Sequence, residues 1–300
     1  MRLALKIDVD TDRGTREGVP RLVEALRARG AGATFLFSLG PDHTGRAVRR
    51  VFRRGFVGKV ARTSVLEHYG LKTLLYGTLL PGPDIGRRGA AQMRAARDAG
   101  FEVGVHCWDH VRWQDGVAGA DAPWTERELA RAGERFAEVF GSEARVHGAA
   151  GWQTNAHALR FLDRAGYAFA SDTRGEGPFR PRMAGEVFRC PQWPTTLPTL
   201  DELIGLDGRT PEDAVRDILA RTAGRREPVH VFTAHAELEG AKLLPALAAL
   251  LAGWAAQGYE VCALGELAAA RDARDLPVHE VVLGQVSGRS GTLALQGRGA

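Results

Sequence analysis

Cysteine is scarce in this sequence: Cys107, Cys190 and Cys262 stand alone, at wide and irregular spacings. An odd, scattered set excludes a closed disulfide framework and a cysteine-based zinc site, so the three thiols are expected to be reduced and mostly in the core. No apolar run approaches the roughly 18 residues that cross a bilayer, which excludes a transmembrane anchor. The opening segment MRLALKIDVD passes straight into strand-like alternation without the apolar stretch of a secretion signal, so the protein is expected in the cytoplasm. There is no repeat of fixed period and no low-complexity linker to divide the chain into separate domains. Charge of one sign is also in short supply: the formal net charge is +4, with arginine gathered in a few clusters. That excludes a general affinity for nucleic acid and leaves room for a local anionic partner; no protein partner is indicated.

What the chain does have is a rhythm. LALKIDVD precedes the helical pattern GVPRLVEALRARG, which leads to ATFLFSLG; GAAQMRAARDAG leads to FEVGVHC, and HALRFLDRAG to YAFASD. The same order recurs where TPEDAVRDILARTAG meets VHVFTAH and KLLPALAALLAGWAAQG meets YEVCAL. Strand followed by helix, over and over, predicts an α/β fold on a parallel sheet. Polar residues capable of chemistry recur at the C-terminal ends of the strands: Asp8 and Asp10, His106, Asp172 and His235. Parallel α/β folds place their sites at that edge.

Two stretches break the rhythm. Residues 41–83 are too long for a plain βα loop. Within them Arg46, Arg49, Arg50, Arg53, Arg54, Lys59 and Arg62 interleave with Val48, Val51, Phe52, Phe56, Val57 and Val60, with no acidic residue among them. Such a basic amphipathic segment suits an anionic membrane surface; a solvated helix with its apolar stripe on the body is the competing reading. Residues 272–300 are glycine-rich and are expected to form either an added strand pair or a frayed tail, with no chemistry assigned. The body is read as residues 1–271, insertion included.

Asp8 and Asp10 lie two apart on a strand, so both carboxylates face one side, and two such groups repel unless a cation or proton lies between them. Either may instead cap the segment that follows. His106 and His110 share a helix face if VGVHCWDHVRW turns helical, letting two imidazoles reach one metal; two ordinary surface histidines are the plainer reading. One carboxylate and two histidines together leave open positions on a divalent ion for water and substrate. His235, where an apolar strand turns polar, suits proton donation to a departing amine, against the alternative of a buried structural imidazole. His230, of opposite parity on the same strand, is read as packing or surface.

These segments resemble the polysaccharide deacetylase family, also called the NodB-homology family. Its metal-binding aspartate and His-x-x-x-His segment are matched by Asp10, His106 and His110, its base by Asp8, and its late histidine segment by Thr233, Ala234 and His235. The likeness is closer still to one subgroup, the deformylases of 4-deoxy-4-formamido-L-arabinose carried on phosphoundecaprenol. It runs through IDVDTDRGTREGVPRL, FSLGPDHTGR, PGPDIG, VGVHCWDH, AAGWQ, SDTRGEGPFRP, TLPTLDELIG, HAELEG and LGQVSGRSG. The resemblance implies a distorted (β/α)7-type barrel with the basic segment inserted, and a divalent metal cofactor (Zn, Mn, Co or Fe). It also implies release of formate from the lipid-linked amino-sugar, a step in lipid A modification and polymyxin resistance, at the cytoplasmic face of the inner membrane.

The sequence departs from the broad family in two places. The usual adjacent aspartates are here split as Asp8, Val9, Asp10, and the arginine-containing motif that orients the base is replaced by AAGWQ around Gly151 and Trp152. Arg174, beside Asp172 in SDTRG, becomes the expected partner of Asp8, with Asp172, Trp152 and Glu237 as further substrate- or base-orienting candidates. The rival readings are a deacetylase of another amino-sugar, a non-catalytic membrane-associated binding protein, and an iron oxygenase built on a two-histidine, one-carboxylate triad.

Overall fold

A computed structural model of the chain describes residues 1–47, 71–224 and 229–299. The basic stretch expected at the membrane falls largely on residues 48–70, outside the described residues. Eleven strands occur among the described residues: β1 (Arg2–Val9), β2 (Thr34–Ser38), β3 (Glu102–Cys107), β4 (Val146–His147), β5 (Phe169–Ala170), β6 (Arg180–Met183), β7 (Glu186–Val187), β8 (His230–His235), β9 (Glu260–Cys262), β10 (Val278–Gly284) and β11 (Leu293–Gly299). Seven of them make one sheet in the order β5-β4-β3-β2-β1-β8, with β9 also on β1. Every pairing in that sheet is parallel.

The sequence explains why β1 is central. Residues Leu3 to Val9 are buried on both faces, as a strand covered on both sides must be. Leu3, Leu5, Ile7 and Val9 join the main core beneath the helices. Ala4 packs inside the sheet's curve with Leu36, Val146, Phe169 and Val231. Each such apolar side chain contributes roughly 1.5–3 kcal/mol by leaving water, less for alanine. Parity then places Lys6 and Asp8 on the same inner face as Ala4, so the interior changes from apolar to charged toward the strand ends.

The helices between strands follow their local signals. The helix Ala122–Phe140 starts on Asp121, whose side chain accepts from Trp124 N, and stops at Gly141 in a left-handed conformation. Its buried Leu129, Ala132, Phe136, Val139 and Phe140 recur at three- and four-residue steps, one apolar stripe turned to the core.

The curve is closed by an irregular segment, not by a strand. Ala170 N donates to Pro191 O at 2.9 Å and Trp193 N to Ala170 O at 2.7 Å on the β5 side, and Thr196 N donates to Val231 O at 3.1 Å on the β8 side. Pro191 and Pro194 have no N–H to give a ladder, so the segment bridges β5 and β8 without regular pairing. This is the distortion of the expected barrel.

The long insertion opens and closes at one point: Asp42 N donates to Pro83 O at 2.9 Å and Ile85 N to Gly40 O at 2.8 Å, just past β2. Of the C-terminal stretch, Val278–Gly284 and Leu293–Gly299 form the strand pair, not a frayed tail. The hairpin of β10 and β11 lies parallel to β6 through β10, in a second sheet ordered β11-β10-β6-β7. Arg174 N donates to Ala294 O at 2.9 Å and Gln296 N to Arg174 O at 2.8 Å, fastening the hairpin to the rim.

Candidate metal centre and catalytic pocket

A cavity of about 150 Å³ opens at the C-terminal edge of the parallel sheet, with Asp8, Asp10, His106, His110 and His235 all in its wall. Register accounts for the convergence. Asp8 pairs directly with His235 across β1 and β8, and Asp10 follows the last residue of β1.

The two histidines do not share a helix, contrary to the expectation from their spacing. His106 belongs to β3, whereas His110 opens the helix His110–Gly116. Asp109 separates them in an extended conformation and caps that helix, its side chain accepting from Arg112 N. The four-residue interval therefore works through a strand, a turn and a helix start, which brings the imidazole centroids to 5.4 Å.

His106 Nε2 stands 3.2 Å from Asp10 Oδ1, and His110 Nε2 3.4 Å from Asp10 Oδ2. One ligand atom from each of the three residues lies within 4.8 Å of the others. His106 Nδ1 donates to Gly148 O at 2.6 Å, so in the neutral ring the lone pair is on Nε2, facing Asp10. Asp10 Oδ1 and Asp8 Oδ1 are buried without a hydrogen-bond partner. Buried polar atoms normally have partners. An orphaned carboxylate oxygen beside two imidazole nitrogens is a donor set that fits a divalent transition-metal ion.

Burial pushes the Asp10 carboxyl toward neutrality, but His110 and His106 more than offset it and hold it well below the ordinary carboxylate range. Burial dominates at His110 and lowers its pKa, with Asp10 opposing. At His106 burial is outweighed by Asp8 and Asp10, and the net direction is upward. The anionic carboxylate and neutral His110 are the forms that bind metals.

Beside this triad stands Asp8, and the cation that compensates it is Lys6. Lys6 is fully buried; Nζ lies 3.4 Å from Asp8 Oδ2, donates to Ser171 O at 3.1 Å, and sits 5.2 Å from the Trp152 ring centroid. Arg174, the expected partner, does not reach Asp8. Its guanidinium donates to Glu202, to Thr195 O at 3.3 Å and to Leu197 O at 3.0 Å, and stacks 5.0 Å from Trp152. The reason is geometric: the backbone of residue 174 is bridged to Thr195 and to Leu295 of β11, and the guanidinium is spent on Glu202 and the Thr195 and Leu197 carbonyls.

Trp152 lines the pocket, its Nε1 donating to Thr195 Oγ1 at 3.1 Å, with its backbone at φ 51°, a strained conformation for a large side chain. Glu237 is a brace for the loop that carries Asp10. Its Oε1 accepts from Asp10 N at 3.0 Å and from Thr11 N and Oγ1 at 2.8 Å each, while burial and the nearby Asp10 charge push its pKa up.

Asp172 is wholly buried and does not line the cavity. Oδ1 accepts from Ala149 N at 2.9 Å and pairs with His147 Nδ1 at 2.7 Å, bracketing Gly148, the residue whose carbonyl receives His106. His230 is buried and packs edge-on against Tyr259 with centroids 5.9 Å apart.

Among the wall and support residues that a reading of the sequence misses are Lys6, Gln114, Asp201 and Arg289. Lys6 left a signal, a lysine in an apolar strand at the same parity as Asp8. Gln114 is one helical turn after His110. Asp201 and Arg289 carry no local mark.

A family model for polysaccharide deacetylase matches residues 7–170, which contain every metal ligand proposed above. The chain is 34% identical to a protein of Shewanella sediminis (strain HAW-EB3) named as a 4-deoxy-4-formamido-L-arabinose-phosphoundecaprenol deformylase, over 98% of this chain and 94% of that one. A Wigglesworthia glossinidia brevipalpis protein of the same name is 28% identical over 94% of this chain and 98% of its own. Among solved structures, one assigned to a polysaccharide deacetylase of Mycobacterium smegmatis superposes with a TM-score of 0.64 at 18% identity, covering 95% of each chain, and supports the fold. The chain belongs to the polysaccharide deacetylase family and is a hydrolase acting on an amide bond.

Proposed function

We propose that this protein removes the N-formyl group from 4-deoxy-4-formamido-L-arabinose carried on undecaprenyl phosphate, with a divalent metal held by Asp10, His106 and His110. The observation that carries the reading is the joint presence of that triad, Asp8 and His235 in one small cavity. Relatives named for this activity align over nearly the whole chain. The substrate places the work at an anionic membrane surface, on the cytoplasmic side, in lipid A modification and polymyxin resistance. The basic run between Arg46 and Arg62 supports that location by its charge. Among the described residues no helix is long and apolar enough to cross a membrane.

The chemistry such a cation supplies when bound is a more acidic water and a polarised carbonyl. Asp8, with one oxygen beside Lys6 and the other unpartnered, accepts the proton of the attacking water. Water adds to the formyl carbon, the C–N bond breaks, and His235 gives the sugar nitrogen its proton as formate leaves. The brace by Glu237 and the Gly148 carbonyl hold Asp10 and His106 while this happens. Water is the nucleophile, so no acyl-enzyme forms.

The test is formate and acetate release from synthetic lipid-phosphate sugars carrying 4-formamido or 4-acetamido groups, with and without chelator. Chelator-sensitive formate release is expected, with Asp8→Asn retaining metal but losing about 100-fold or more in kcat, and His106→Ala losing metal. Preferential acetate release points to a deacetylase of another amino-sugar. Full activity of either variant defeats the assignment of roles.

A further inference from the structure

The C-terminal hairpin ends in the pocket. The turn between β10 and β11 carries Arg289 to the wall, where its guanidinium lies 4.7 Å from the Trp152 ring centroid. Nε donates to Glu202 Oε1 at 3.0 Å, and Nη2 donates to Thr199 Oγ1 and to Asp201 Oδ1, each at 3.3 Å. The other Asp201 oxygen is 3.2 Å from Nη2. So close an approach requires Gly288: its φ is +84°, and a Cβ there would stand 2.3 Å from Glu202 O. On its far side, Asp201 Oδ1 faces His235 Nδ1 at 3.9 Å, and that nitrogen is buried with no hydrogen-bond partner. Arg289, Asp201 and His235 thus form a chain of contacts from the end of the sequence to the proton donor.

We propose that Arg289 is a positioning residue for proton donation by His235. It holds the Asp201 carboxylate toward His235 Nδ1–H and so leaves Nε2–H aimed at the departing nitrogen. This rests on the hydrolytic reading above. A guanidinium engaging both oxygens of a carboxylate removes its rotational freedom, which a lysine's single point charge does less well. The hairpin is therefore part of the active site.

The test uses the need for that proton. A formamide nitrogen must be protonated as the C–N bond breaks, whereas the matching 4-O-formyl ester expels a far less basic alkoxide. Arg289→Ala is expected to lower kcat on the formamide about 10-fold or more and on the ester less than about threefold, with KM near wild type. Arg289→Lys should fall between, and it repeats the comparison if the alanine variant does not fold. Asp201→Asn should show the same amide-selective loss, and the double variant should lose no more than the worse single one. Equal losses on ester and amide, or no loss on either, in a variant that melts cooperatively would overturn the role of Arg289. A wild-type protein that releases no formate from either substrate would instead sink the hydrolytic reading, before any variant is compared.

Discussion

Asp172 shows how a residue outside the cavity governs one inside it. By accepting from Ala149 N and pairing with His147 it clamps the backbone around Gly148, and the Gly148 carbonyl in turn sets the His106 ring. Burial alone would raise its pKa, but His147 and the donated hydrogen bonds take it below the ordinary aspartate value. Its stabilisation is therefore present above the usual aspartate pKa of about 4 and is lost as pH falls from there through the lower folded value. Asp172→Asn should cost about 3–5 kcal/mol in urea unfolding near neutral pH and weaken zinc binding about 10- to 100-fold in titration. A folded variant with undiminished zinc affinity would refute the clamp.

Glu239 behaves in the opposite sense. It is buried, accepts from His235 N at 2.7 Å, and burial pushes its carboxyl up to about 7 from 4.5, with His235 opposing. The stability of the protonated form is complete below about pH 4.5 and disappears as pH rises through about 7, roughly 3 kcal/mol for a shift of this size. Wild type should thus lose stability between pH 5 and pH 8 that Glu239→Gln keeps, and parallel curves for the two proteins would contradict the assignment.

Among the elements, the loop after β8 and the short helix Gly14–Gly18 depend on close approach. A Cβ at Gly14 would stand 1.9 Å from Glu237 Oε1, the atom that braces Asp10 and Thr11. Gly14→Ala should displace that carboxylate, lower Tm, and weaken metal binding far more than a surface glycine such as Gly177, which has open space around it. The magnitude expected is about 1–3 kcal/mol, the range for overpacking a tight site, and unchanged metal affinity would contradict it. His106 and His110 teach a related lesson. Their interval suggests a helix, yet the glycine and valines before His106 extend β3, and Asp109 restarts the chain as a helix only afterwards. The spacing predicted the shared site but not the element, because a strand–turn–helix junction brings i and i+4 together as well as a helical turn does.

At the scale of the whole molecule, two distant parts of the chain, one carrying Asp10 and the other His106 and His110, meet at the candidate metal centre, so binding and folding should be coupled. A metal that binds only the folded state at a hundredfold excess over Kd adds about 3 kcal/mol. Chelator-treated protein should melt several degrees below protein with excess zinc, and His110→Ala should show no such increment. An identical melt for wild type with and without metal would argue against the triad. The flanking sheet of β6, β7, β10 and β11 belongs to the same body through Arg174, Gln296 and Arg289. Truncation before β10 should therefore impair catalysis as well as stability.

The sequence by itself determined the parallel α/β architecture and marked Asp8, Asp10, His106, His110 and His235, side chains that line the pocket. It did so because periodicity and strand-end position are local properties, and parallel strands align their ends at one edge whatever the remote contacts. Only the tertiary structure decided that Lys6, not Arg174, compensates Asp8, that Asp172 acts through Gly148, and that Asp201 and Arg289 complete the wall. The same holds for the proline-bearing segment that joins β5 to β8. Which buried charge meets which is settled by the packing of segments far apart in the chain, where desolvation punishes any unpaired group, and no local pattern records that outcome.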